Sequence, residues 1–285
     1  MELIKTDAFA EPGGVLTTDS NLRVVSWNIN RGTQFARVVE ALRTLNPDLV
    51  FLQEVDHVAR RTAYRNIAAE IAEALRMNYV FGSEFQELAE GSAEKPAFHG
   101  QATLCRWPIA TYRILRFDDQ SRFWQPRWFI PTSQLFQRRT GGRMALVVRI
   151  EFLGAPLITY NLHLESRGDS SLRIRQMDQV LLDSYSYAET VPVLIAGDFN
   201  CDLGEGPIGA RLAKLRVASG RDDSNQGTTR SKWRQGPSID WILVKGPMAL
   251  VTNRVHREFD CSDHFPISAT MQSPKPADSP SCDER

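Results

Sequence analysis

The chain has 285 residues, of which 42% are hydrophobic and 24% charged. These values lie close to the globular average and exclude wholesale disorder, collagen-like repeats and coiled coil. Thirty-four basic and 34 acidic side chains cancel, so no global field drives the protein onto a polyanion, and any nucleic-acid contact must come from a local basic surface.

Residues 1–20 read as an N-terminal tail, and the proline-rich 273–285 as a disordered C-terminal tail. Between them, 21–272 shows no linker or repeat and is expected to form a single domain. LRVVSWN at 22–28 predicts a strand. Thr33 is placed to cap a helix carrying Phe35, Val38, Val39, Leu42 and Leu45 at three-four spacing. Pro47 and Asp48 stop it, and LVFLQEV at 49–55 is a short buried strand. TAYRNIAAEIAEAL at 62–75 predicts a second helix with Tyr64, Ile67, Ile71 and Leu75 inward. Strands follow near 78–84, 101–106 and 109–117. MALVVRIEF and PLITYNLHL are separated by LGA at 153–155, a hairpin-length gap. Asp169 caps a helix through SLRIRQMDQVLLDSY, after which VPVLIAG, IDWILVK and FPISATM are strands. The strands outnumber those of one open parallel sheet, and the first lacks a glycine-rich turn after it. The expected fold is α/β, with two packed mixed sheets and helices outside.

The longest apolar runs are too short to span a bilayer, and no secretory leader is recognisable; the expectation is a cytoplasmic protein with no membrane partner. Cys105, Cys201, Cys261 and Cys282 form no CxxC pair, which favours free thiols over a disulfide framework or a thiolate zinc site.

Several strongly apolar strands stop on a carboxylate, carboxamide or imidazole: Asn28, Glu54, His163, Asp198 with Asn200, Asp240, and Asp263 with His264. Each has an ordinary reading alone, such as a turn, a cap or a surface ion pair. Together they supply hard oxygen donors (Glu54, Asp198, Asp263, Asn28, Asn200) and few thiols, which suits Mg²⁺ or Mn²⁺ better than zinc. Imidazoles beside them add acid–base capacity, and the combination is what phosphoryl chemistry needs.

These segments also resemble the endonuclease/exonuclease/phosphatase (DNase I-like) superfamily. The matching stretches are SWNINRG at 26–32, DLVFLQEVD at 48–56, HGQATLCRWPI at 99–109, YNLHLESR at 160–167, VLIAGDFN at 193–200, SIDWILV at 238–244 and CSDHFPI at 261–267, in the family's order. The resemblance implies a four-layer αββα sandwich and an Mg²⁺-dependent phosphoester hydrolase in which water attacks a phosphodiester in line. It implies Glu54 as principal metal ligand with Asn28 and Asp263 nearby, and Asp198 as the group that activates water. Asn200 would hold the phosphate, His264 paired with Asp240 would give acid–base or charge support, and His163 would contact a phosphate oxygen. HLES followed by a capped, arginine-bearing helix is similar to the tyrosyl-DNA phosphodiesterase 2 branch, which adds Ser166 and Arg167 as phosphate contacts, with Arg173 or Arg175 able to reach the same anion.

Residues 106–143 carry eight arginines against two aspartates, an excess of six positive charges, interleaved with aromatics that include Trp128 beside Arg127. That suits phosphate contact with base stacking; the alternative is a loop whose aromatics pack down and whose arginines are merely solvated. The expected partner is a phosphoester, with a nucleic-acid end or adduct favoured. The alternatives are a small-molecule, inositol or lipid head-group phosphatase, and a silent metal-binding protein.

Overall fold

The computed structural model describes residues 2–10, 21–121, 123, 137–203, 207–212, 227–230 and 236–273. Arg127, Trp128 and the stretch expected as a tail at 274–285 lie outside the described residues. The larger sheet holds β1 (Ile4–Ala8), β2 (Asn21–Arg31), β3 (Leu49–His57), β4 (Asn78–Glu87), β5 (Ala97–Cys105), β7 (Arg139–Gly141), β12 (Ala249–Val255) and β13 (Ile267–Gln272). Its order is β1-β4-β5-β3-β2-β13-β12, with β7 beside β4. The smaller sheet holds β6 (Ile109–Arg116), β8 (Met144–Phe152), β9 (Ala155–His163), β10 (Val193–Asp198) and β11 (Asp240–Lys245), in the order β11-β10-β9-β8-β6. Both sheets are mixed: β2 runs parallel to β3 and β9 to β10, and the other pairings are antiparallel.

Three apolar clusters separate four layers. One lies between the sheets and includes Phe51, Leu146, Leu194 and Ile242. A second joins the larger sheet to α1 (Phe35–Leu45) and α2 (Ile67–Leu75). The third joins the smaller sheet to α3 (Ser170–Ser184) and α4 (Pro207–Leu212). This is the αββα sandwich. Strands buried on both faces explain the continuous apolar runs: in β3, Leu49 and Phe51 face the other sheet while Val50 and Leu52 face the helices. Burying one such side chain contributes about 1.5–3 kcal/mol.

Local signals set most of the element ends. Asp169 caps α3 as expected, its carboxylate accepting from the Leu172 amide at 3.2 Å. The β8–β9 hairpin turns on Leu153 and Gly154, both at positive φ (51° and 80°), a geometry that matches strand twist. Other ends differ from expectation. The α1 cap position is Gln34, and the Thr33 hydroxyl instead donates to the Asn30 carbonyl. The second helix starts at Ile67 under an Asn66 cap, five residues later than the pattern suggested. Tyr64 precedes it at φ 58° and is exposed rather than inward. Within the stretch expected as a tail at 1–20, Ile4–Ala8 pairs with β4. Its outward residues are polar, so periodicity gave no signal for an edge strand.

Candidate active site

Strand alternation aims the polar residues at one place. In β2, Leu22 and Val24 face the intersheet core, so Asn28 points inward too. The same parity runs from Leu157 to His163 in β9, from Leu194 and Ala196 to Asp198 in β10, and from Ile242 and Val244 to Asp240 in β11. Register completes the alignment: Asp198 lies opposite His163 on one side and Asp240 on the other. Where the apolar layer gives out, Gln53 donates to Asn161 at 2.8 Å, and Asn161 donates to the Leu52 and Ala102 carbonyls. This pair forms a hydrogen-bonded polar floor.

Glu54 needs a different device, because strict alternation would send it toward the helices with Val50 and Leu52. A bulge interrupts β3 between Leu52 and Val55, with Glu54 at φ 52°. Val55 rejoins the helix-facing cluster three residues after Leu52, so the bulge frees Gln53 and Glu54 together from the helix side. Left-handed backbone at a non-glycine residue is strained. Gly197, at φ 145°, solves a different constraint: a Cβ there would sit 2.0 Å from the Leu162 carbonyl oxygen.

Asp198 is the hub. Its Oδ2 accepts from Asn28 Nδ2 at 3.1 Å and lies 3.6 Å from His163 Nε2 and 3.7 Å from His264 Nε2. Its Oδ1 accepts from the Asn200 amide at 2.9 Å, and Asn200 Nδ2 donates to the Leu164 carbonyl. Behind His264, Asp240 holds Nδ1 at 2.9 and 3.1 Å. Burial pushes the Asp198 carboxyl up, and the neighbouring Asp240 charge adds to this, while His264, Asn200 and Asn28 oppose it; the result is about 7. Burial alone would lower His264, but the Asp240 and Asp198 carboxylates raise it to about 10. His163 goes the other way: burial and then the Arg143 charge hold it well below its ordinary value, so it is neutral near pH 7. One imidazole is charged and the other is not.

Ser262 ties the C-terminal segment to β2 by donating to the Asn28 carbonyl at 2.7 Å, and Trp27 Nε1 donates to the His264 carbonyl. This places Asp263 and His264 beside Asn28; Asp263 itself is exposed and close to Ser262 Oγ at 3.2 Å. Glu54 makes no hydrogen bond or ion pair among the described residues. Burial opposes its ionisation, yet His99, Arg31, Arg143 and His264 outweigh this and keep its carboxyl below the usual range.

Two participants escaped the sequence reading. Glu84 accepts from Arg143 Nη1 and Gln101 Nε2, both at 2.9 Å, and lies 3.7 Å from His163 Nδ1. The signal existed, since Glu84 ends the apolar run NYVFGSE in the way the other site residues end theirs. Arg143 was one of many arginines, and nothing in the chain marked it as the buried one. Ser166 accepts from Arg143 Nη2 at 3.5 Å, and Ser166, Arg167 and Glu54 line one cleft of ≈ 740 Å³. Arg173 and Arg175 turn to local partners, the Glu165 carbonyl and Asp119.

The basic 106–143 segment divides. Arg106 pairs with Asp48, Arg113 with Asp183, and Arg116 with Glu2, whereas Arg138, Arg139 and Arg143 reach the cleft.

Asp198, Asp240 and His264 present ligand atoms within 4.8 Å of one another, so a divalent ion is chemically compatible with this end of the sandwich. Asp240 and His264 already satisfy each other, however, while Glu54 has no such partner and is the better available anion. No helix among the described residues is long and apolar enough to cross a membrane. Cys105, Cys201 and Cys261 are free.

Carboxylates and imidazoles gathered at the strand ends of two mixed sheets are groups that suit hydrolysis of phosphate esters. The Endonuclease/Exonuclease/phosphatase family model matches residues 25–264, and the chain belongs to that family. It is therefore an enzyme of the phosphoester hydrolase class, in a family generally dependent on a divalent metal. No curated protein matches it. Solved structures share the fold. An endonuclease/exonuclease/phosphatase from Beutenbergia cavernae DSM 12333 has a TM-score of 0.65 at 18% identity, covering 89% of this chain and 72% of that one. D. rerio TDP2 humanized by 14 mutations has a TM-score of 0.60 at 20% identity, covering 90% and 100%. D. rerio TDP2 complexed with a single strand DNA product has a TM-score of 0.59 at 19% identity, covering 90% and 100%.

Proposed function

We propose that residues 21–272 form one catalytic domain that hydrolyses a phosphodiester, with a nucleic-acid end or adduct as the substrate class. The observation that carries this reading is the Asp198 carboxylate held by Asn28 and faced by one neutral and one charged imidazole. Glu54, Asn28 and Asp263 would hold Mg²⁺, which Mn²⁺ could replace, and the ion would neutralise phosphate oxygens. The partnerless Glu54 carboxylate and the all-oxygen donor set fit such an ion.

Asp198 orients the attacking water and takes its proton as the oxygen bonds to phosphorus, while the ester P–O bond opposite it breaks and the departing oxygen takes a proton from solvent. A carboxyl lifted toward neutrality by burial is a stronger base than a solvated one. His264, kept protonated by Asp240, donates to a phosphoryl oxygen as negative charge builds. His163, neutral and backed by Glu84 and Arg143, offers a second contact to the same group without adding a full charge. Asn200 fixes the loop through its backbone amide on Asp198, leaving that carboxylate little rotational freedom. Ser166 and Arg167 face the substrate from the cleft wall. The DNA product named for the TDP2 structure supports a nucleic-acid substrate for this chain.

The test is a panel of nitrophenyl mono- and diesters, oligonucleotides and inositol phosphates, run with Mg²⁺ and with chelator. Metal-dependent cleavage of diesters ahead of monoesters, lost in Asp198→Ala and His264→Ala, is expected. Faster cleavage of inositol phosphates would replace the substrate class, and wild-type rates in His264→Ala would refute the mechanism.

A further inference from the structure

The cleft that contains Glu54 holds far more positive charge than one scissile phosphate needs. Six arginines line it against Glu54, Glu87 and Glu90, three positive charges in excess. Half of the arginines are already occupied. Arg61 forks onto Asp56 at 2.6 and 2.7 Å, Arg139 pairs with Glu87 at 2.8 Å, and Arg143 with Glu84. Arg31, Arg138 and Arg167 have no carboxylate partner among the described residues.

Those three guanidinium groups stand on fixed backbone. Arg31 sits at φ 68° where β2 and β3 slip register. The Arg138 carbonyl accepts from the Leu88 amide at 2.8 Å, next to the β7–β4 pairing. The Arg167 amide donates to Glu165 Oε1 at 2.9 Å. Arg31 Nη1 donates to Asn30 Oδ1 at 2.6 Å and its charge acts on Glu54, but none of the three guanidinium groups is closed by a carboxylate fork among the described residues. Opening onto ≈ 740 Å³, they suit phosphate, which a guanidinium binds through two parallel hydrogen bonds. The volume suits a nucleotide-sized ligand. Phe123, 56% exposed, lies 4.8 Å beneath the Arg167 guanidinium, an aromatic face of the kind on which bases stack.

We propose that Arg31 and Arg138 form a second-phosphate subsite, so that the substrate is a nucleotide strand carrying a phosphate next to the one cleaved. This rests on the phosphodiesterase reading above and adds the requirement for two phosphates joined through a nucleoside. A second basic cleft, at the C-terminal ends of α1 and α2, does not compete. Its Arg43 donates to the Ala74 carbonyl and its Arg106 to Pro47 and Asn46, so helix-end acceptors already occupy them.

Calorimetry with Mg²⁺ should show thymidine 3′,5′-bisphosphate binding at least about tenfold tighter than thymidine 5′-monophosphate. The double variant Arg31→Ala/Arg138→Ala should erase that preference, while Arg43→Ala on the far cleft should keep it. In parallel, thymidine 5′-(p-nitrophenyl phosphate) with and without a 3′-phosphate gives the ratio of kcat/KM values, which should fall in the same double variant. Equal affinity for the two nucleotides, or the same loss of preference in Arg43→Ala, overturns the subsite. Inositol 1,4-bisphosphate binding as tightly as the nucleotide bisphosphate overturns the nucleotide assignment. Hydrolysis of neither ester, with the binding preference intact, would refute the catalytic reading and support the subsite; hydrolysis of both without preference would refute the subsite alone.

Discussion

Replacing Asp240 with asparagine keeps the shape of the site and removes one charge. Asp240 is the largest of the influences that raise His264, which stands at about 10 against an ordinary 6.5. With asparagine there, burial continues to lower the imidazole, and only Asp198, 3.7 Å away, and then Asp263 still favour the cation. A loss of at least about a hundredfold in proton affinity is expected, ~3 kcal/mol. Asparagine also presents an amide that can select the wrong tautomer, an effect that costs about 10⁴ in the unrelated Asp–His pair of a serine protease. The expected result is a fall in kcat/KM on bis(p-nitrophenyl) phosphate of about 10²–10⁴. The His264 NMR titration midpoint should move down by the hundredfold stated above, with circular dichroism unchanged. The chain has only five histidines, so single-histidine variants assign the resonances. A rate within threefold of wild type, or an unmoved midpoint, would refute the argument that Asp240 acts through the imidazole.

Glu54→Gln should weaken activation by Mg²⁺ at least about tenfold in a metal titration, because the carboxylate that lacks a protein partner becomes neutral; unchanged activation would remove Glu54 from the metal site. Asp56 is fully buried and forks onto Arg61 while touching His99 at 3.0 Å, so Asp56→Ala should cost about 3–5 kcal/mol, read as a loss of several degrees in Tm. Burial raises the Asp56 carboxyl, but Arg61 and His99 outweigh it and hold it below its ordinary value. Its stabilisation is therefore complete above the unfolded carboxylate range and lost as pH falls through the depressed folded value; acid unfolding of Asp56→Asn should lack that component. Gly197→Ala forces a Cβ to within 2.0 Å of the Leu162 carbonyl oxygen, and about 2 kcal/mol or more of destabilisation with impaired activity is expected. Cys105 is fully buried, which pushes its thiol up to about 12; in native protein it should remain unlabelled by a thiol reagent that reacts with it in denaturant.

The site was legible because its chemistry interrupts apolar strands. A carboxylate or imidazole after VFLQ, ITYNL or LIAG stands out against its surroundings, and parity then decides which face it takes. Two packed sheets followed from the number of strands and their short connections, and the four layers from the resemblance to the family. What the chain concealed has physical reasons as well. Edge strands β1 and β12 expose most of their residues, so they lack the pattern that burial imposes. The bulge at Glu54 leaves no mark in composition, since glutamate does not advertise a left-handed backbone. The roles of Glu84 and Arg143 depend on a contact between residues 59 positions apart. The basic segment summed to one number but serves two ends, because three of its arginines neutralise acids elsewhere and three others converge on the cleft.

The period of two that turns Asn28, His163, Asp198 and Asp240 inward also limits how this enzyme can change length. Deleting or inserting a single residue within β10 would exchange the Asp198 side chain with its neighbour, putting a carboxylate among Phe199, Trp241 and the helices and leaving the pocket without its hub. Length variation is thereby confined to the connections between strands, except at bulges such as those at Glu54 in β3 and Glu84 in β4, where an odd step has been built in and put to use.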